Sequence, residues 1–184
     1  MRFGKALTGL VLGAAVFAFA ASASVMAQKV TKKTEGKGGS PHETVEYTID
    51  GAKLTLVYGR PHIKGRALSA VAPDGKAYRM GADEATLLTT DKNLMFGSAM
   101  VAPGTYSLYA MPKGGSYELI INKQTGQWGT VYDEKQDLTR VPLKVEKAAK
   151  ANELFTINFE DTKEGGLMTA QWGTEKLSVP FMVH

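Results

Sequence analysis

The chain has 184 residues, of which 43% are hydrophobic and 22% charged, with a formal net charge of +4 and no cysteine. That length suits a single domain. The absence of thiols excludes disulfides, thiolate metal sites and a lipid-modified N-terminal cysteine, so an apolar core must hold the fold together.

Residues 1–27 read as a secretory signal peptide. Arg2 and Lys5 open it, an apolar run follows from Ala6 to Ala21, and Val25-Met26-Ala27 supplies the cleavage end, after Ala27. The run is short for a spanning helix, which needs about 20 apolar residues, and no charged stop closes it. The expected location is therefore periplasmic or secreted, with no membrane span after cleavage. The small charge excess is weak evidence for a nucleic-acid partner, and export argues against one. Residues 28–39 lack apolar periodicity and are expected to be a flexible basic leader. Gly36-Lys37-Gly38-Gly39-Ser40 within it lacks the spacing of a phosphate loop and the apolar strand that precedes one.

Residues 40–184 read as one domain with a period of two. Leu54, Leu56 and Tyr58 alternate with polar residues, as do Tyr106 and Leu108, then Tyr117, Leu119 and Ile121. Val141, Leu143 and Val145 follow, then Phe155, Ile157 and Phe159, and finally Leu177, Val179 and Phe181. Such alternation puts one face of a strand in a core and the other in solvent. Leu56, Tyr106, Leu108, Leu119, Ile121, Phe155, Ile157 and Val179 form the predicted core. Turn signals separate the runs, with Asp50-Gly51 the clearest hairpin. Pro142 and Pro180 fall inside strand-like runs and cannot donate to a ladder, which predicts edges or strand ends there. Only Glu146–Glu153 favours helix, enough for one turn or a loop. The expected fold is all-β, a single antiparallel β-sandwich, with jelly-roll-like and immunoglobulin-like versions not distinguished.

Between Tyr58 and Asp91 the chain carries Tyr58-Gly59-Arg60-Pro61, Lys64-Gly65-Arg66, Tyr78-Arg79 and Gly81-Ala82-Asp83-Glu84-Ala85-Thr86. With Pro103-Gly104-Thr105-Tyr106-Ser107-Leu108 and the segment from Asn122 to Gly129, these blocks resemble the bacterial family catalogued as domain of unknown function 2911. The resemblance runs from Ser40 to Phe181. It implies no particular activity. The chain departs from the family pattern at Ser69–Lys76, where the family shows an aromatic-glycine pair followed by Val-Pro-Tyr-Gly-Lys. Tyr78-Arg79 stands for the family's Trp-Arg, and Asp83 for its Asn. If those aromatics line a pocket, the pocket here is smaller or more polar.

Arg60, Arg66 and Arg79 are the first candidates for ligand binding. Their glycine and proline neighbours place them in loops, and a guanidinium fork suits carboxylate, phosphate or sulfate. The competing reading pairs them with acidic residues such as Asp83, Glu84 or Asp133 to pin loops. Glu84 is expected to orient one arginine, and Trp128, between Gly126 and Gly129, offers a stacking surface or a core cap. Arg60, Arg66, Arg79 and Glu84 are expected to gather at one end of the sandwich. His42, His62 and His184 make no metal motif, so no metal and no cofactor is indicated. Gly97-Ser98-Ala99-Met100 lacks a nucleophile elbow. Three readings stand: a non-enzymatic binding or interaction module for a small anionic or carbohydrate ligand, a carboxylate-dependent hydrolase of glycans, and a structural envelope protein. Oligomeric state is not legible in the chain.

Overall fold

The computed structural model describes residues 28–66 and 68–184, and the predicted signal peptide lies outside them. Ten strands run in chain order: β1 (Lys29–Glu35), β2 (Pro41–Ile49), β3 (Ala52–Gly59), β4 (Thr86–Thr90), β5 (Leu94–Phe96), β6 (Ala99–Val101), β7 (Gly104–Lys113), β8 (Ser116–Asn122), β9 (Asp137–Thr162) and β10 (Gly165–Val183). A single helical turn, α1 (Leu68–Val71), precedes β4, and a 3-10 turn (Glu134–Gln136) precedes β9. All described pairings are antiparallel, and the strands form one open sheet in the order β1-β2-β3-β4-β7-β8-β9-β10-β5-β6.

The β2–β3 hairpin follows its turn chemistry. Asp50 and Gly51 both take positive φ, 46° and 72°, as a primed two-residue turn requires. On β2 the alternation buries Val45, Tyr47 and Ile49 and exposes Glu46 and Thr48. The far part of the sheet packs across this hairpin without pairing to it. The Tyr47 and Phe159 rings meet at 5.1 Å, the Tyr47 hydroxyl donates to the Ile157 carbonyl at 3.3 Å, and Tyr58, Phe155, Tyr78 and Trp172 form one aromatic cluster. The predicted core residues are buried, apart from Tyr106, which is half-buried against the same core.

The two prolines explain where the sheet opens. The β9–β10 ladder ends at Lys144 opposite Ser178. Two positions further along that register, Pro142 would face Pro180. Neither can donate a hydrogen bond, so the ladder stops. Before that point β9 pairs with β8 (Pro142 opposite Glu118), and after it β10 turns to pair with β5 (Met182 opposite Met95).

Two expectations need correction. Residues 29–35, expected to be a flexible leader, form β1, an exposed edge strand paired with β2 from Lys29 opposite Glu46 to Glu35 opposite Pro41. Its stability comes from backbone pairing, which composition does not reveal. Glu146–Glu153, read as one helical turn or a loop, is extended within β9, where Lys144–Lys147 faces Glu175–Ser178 of β10. Tertiary pairing overrides helix propensity there.

Candidate functional site

The inward row of β2 begins with a carboxylate. Glu43 shares the parity of Val45, Tyr47 and Ile49, and is buried with them. A buried carboxylate needs a cation and hydrogen bonds. Arg60, just past the end of β3, supplies both. Its Nη1 donates to Glu43 Oε2 at 2.8 Å, Nη2 to Thr156 Oγ1 at 2.8 Å, and Nε to the Phe155 carbonyl at 3.2 Å. Lys33 of β1 approaches the other Glu43 oxygen at 3.4 Å. All three donor nitrogens of Arg60 are thus committed, and the guanidinium lies over the Tyr58 ring at 5.9 Å. Burial pushes the Tyr58 hydroxyl pKa above its ordinary value.

Arg66 closes the next loop on itself. Its Nε donates to the Ile63 carbonyl at 3.0 Å and Nη2 to the His62 carbonyl at 2.6 Å. The guanidinium lies 5.4 Å from the buried Trp172 ring, which stacks in turn on Tyr78 at 6.2 Å. Ile63 N–H donates to the Glu153 carbonyl and Phe155 N–H to the Pro61 carbonyl, so this loop is stitched to β9. Arg60 and Arg66 both pin residues 60–66 against the aromatic cluster.

Arg79 is different. Its Nε donates to the Gly81 carbonyl at 3.3 Å, while Nη1 and Nη2 have no hydrogen-bond or ion-pair partner among the described residues. The aliphatic stem lies against Gly129, where a Cβ would overlap the Arg79 Cδ and stand 2.9 Å from the Asp83 carbonyl. Gly129 is therefore the residue that lets the arginine lie flat. Gly129 N–H donates to the Asp83 carbonyl at 2.8 Å and Ala85 N–H to the Gln127 carbonyl at 3.2 Å, which sets Glu84 opposite Trp128 in a short antiparallel bridge. Arg79, Glu84 and Trp128 thus share one neighbourhood. Arg60 and Arg66 each have partners of their own. No ion pair joins Glu84 to an arginine among the described residues. Its carboxylate instead stands 4.0 Å from His42 Nδ1.

The loop carrying this site is tightly specified. Met80 and Asp83 take positive φ, 47° and 62°, and the Thr86 hydroxyl donates to the Met80 carbonyl at 2.7 Å. Asp and Asn are the side chains that tolerate the left-handed region best after glycine. That explains how Asp83 can stand where the family resemblance expects Asn. The exchange places a carboxylate, buried, 3.0 Å from His42 Nε2. Gly36 and Gly38, in the turn between β1 and β2, pack directly on Asp83, where a Cβ at Gly36 would overlap Asp83 and His42. Lys37 in the same turn reaches to 6.0 Å over the Trp128 ring, which is 38% exposed. The glycines rejected as a phosphate loop are the seat for this His42–Asp83 pair.

An open groove of about 380 Å³ lies beside Arg79, lined by Pro73, Lys76, Tyr78, Gly129 and Thr130 among others. Sequence reasoning missed Lys76 and Thr130. Their places depend on Tyr78 bridging to Ala110 of β7 and on the 123–136 loop. Buried Asn122 organises that loop by donating to the Asp133 carbonyl and to Asp137, both at 2.8 Å. Glu43 was legible in principle, since its parity on β2 put it in the apolar row.

Residues 40–181 match the family described as Protein of unknown function (DUF2911). No curated protein and no solved structure matches the chain.

Proposed function

For this chain, which belongs to the family of proteins of unknown function DUF2911, we propose a non-enzymatic binding module whose ligand is a small anion or an anionic sugar. The observation that carries this reading is the pair of uncommitted Arg79 nitrogens beside an open groove that also holds Lys76 and Thr130. A guanidinium with two free Nη donors can take an oxyanion in bidentate fashion. Lys76 adds positive charge, and the half-exposed Trp128 stands next to Gly129 as a stacking surface for a sugar ring. Arg60 and Arg66 serve the walls of the fold rather than the ligand. The hydrolase and purely structural readings have no comparable observation in their favour.

The same reading makes the protein exported, with residues 1–27 removed, and treats the bent sheet as a β-sandwich closed by its β9–β10 half. N-terminal mass analysis of protein from the envelope or medium should find Gln28 first. A retained Met1 contradicts export. For the ligand, thermal melts against phosphate, sulfate, uronic acids and short glycans should show stabilisation that Arg79→Ala loses and Arg66→Ala keeps. Equal loss in both variants, or no response in the parent, defeats the assignment.

A further inference from the structure

The groove beside Arg79 has an apolar chamber behind it. A small cavity of about 20 Å³, lined by apolar atoms, lies among Ala72, Tyr78, Met80, Ala110, Phe155 and Leu177. Ala72 and Tyr78 line both the groove and this cavity. They form the partition between a cationic opening and the edge of the core. Tyr78 is held in place, since its hydroxyl donates to the Gly81 carbonyl at 3.3 Å and its ring packs on Trp172 and Phe155. The other half of the partition is a single methyl group, on the segment that follows α1. A space of this size and lining holds about one or two carbons and offers a water no polar partner.

From this juxtaposition we infer that the ligand is amphipathic: an oxyanion headgroup held at Arg79 and Lys76, with a short aliphatic branch of about one or two carbons seated past Ala72 against Met80 and Leu177. The inference rests on the anion reading above and adds the chemistry of the rest of the molecule. Charge complementarity fixes the head at the open end, and burial of apolar surface favours an alkyl group at the closed end. The cavity's volume rules out a full acyl chain, so the ligand is a free short-chain anion and not a membrane lipid.

Calorimetric titration of the whole chain with inorganic phosphate and with methyl, propyl, butyl and hexyl phosphate tests it, with the matching carboxylates as a second head. Affinity should rise about fourfold per carbon over the first one or two carbons and then level off. Ala110→Val, at a residue that lines the chamber but not the groove, intrudes from β7 and should flatten this dependence while leaving inorganic phosphate affinity within about twofold. If that variant melts without cooperativity, Leu177→Phe intrudes from β10 and makes the same test. Equal affinity for inorganic and propyl phosphate overturns the inference and leaves the anion site standing. So does tightening that continues undiminished through hexyl, or a chain-length dependence that survives both substitutions. Failure of every anion to bind overturns the anion reading and this inference with it.

Discussion

Arg60 and Arg79 sit in the same loop-rich stretch of sequence, flank the same aromatic cluster, and have opposite fates. Arg60 meets a carboxylate that strand parity forces inward, and Nε, Nη1 and Nη2 all go to Glu43, Thr156 and Phe155. Arg79 meets a backbone carbonyl and a glycine, and neither Nη nitrogen has a partner among the described residues. The difference lies in what surrounds each arginine. A cation beside a buried acid completes the fold, whereas a cation beside a groove is available to a ligand.

The comparison can be broken at several points. Arg60→Ala strands Glu43 at the margin of the core with only the exposed Lys33 in reach. Removing one partner of such a buried pair costs about 3–5 kcal/mol. Urea unfolding should show a loss of that order, and a loss below about 1 kcal/mol would mean that Arg60 is as idle as Arg79. Gly129→Ala inserts a Cβ into the Arg79 stem and against the Asp83 carbonyl. Overpacking of that kind costs about 1–3 kcal/mol, and the displaced guanidinium should weaken anion binding. Unchanged binding would show that the flat seat of Arg79 does not matter.

Alkaline pH probes the packed tyrosines, two of which, Tyr58 and Tyr78, belong to the aromatic cluster. Tyr47, Tyr58, Tyr78, Tyr109, Tyr117 and Tyr132 all have raised pKa values, chiefly because burial disfavours the phenolate. In the unfolded chain these hydroxyls ionise near pH 10. The folded state therefore holds more protons above that pH, and stability present below pH 10 is lost as pH rises. The slope should be about 1.4 kcal/mol per pH unit for each tyrosine involved. Absorbance of phenolate should appear in step with unfolding. Gradual ionisation of all six near pH 10 with the fold intact would contradict their burial.

Much of this was readable from the chain, and the exceptions have physical causes. The alternation from Leu54 to Phe181 gave the strands and the core because side-chain period is a local property. Pro142 and Pro180 marked the end of a ladder for the same reason, although only the register shows that they oppose each other. Residues 29–35 were missed because an edge strand exposed on both faces carries no hydrophobic pattern. The helical bias of Glu146–Glu153 lost to pairing with β10. Of the candidate site, Arg79, Glu84 and Trp128 do come together, through a bridge between residues 84 and 128 that no local signal predicts. Arg60 and Arg66 were drawn into the same list because a sequence shows where an arginine lies but not whether its donors are already taken.

The smallest expected change in stability decides the central claim. Arg79→Ala removes one hydrogen bond to the Gly81 carbonyl and a packed stem, and should leave unfolding free energy within about 1 kcal/mol of the parent. Calorimetric titration with inorganic phosphate at low ionic strength, run on the parent and on this variant, reads the claim directly. The account predicts saturable binding to the parent that Arg79→Ala abolishes. Binding that persists undiminished in a fully folded Arg79→Ala variant would contradict it.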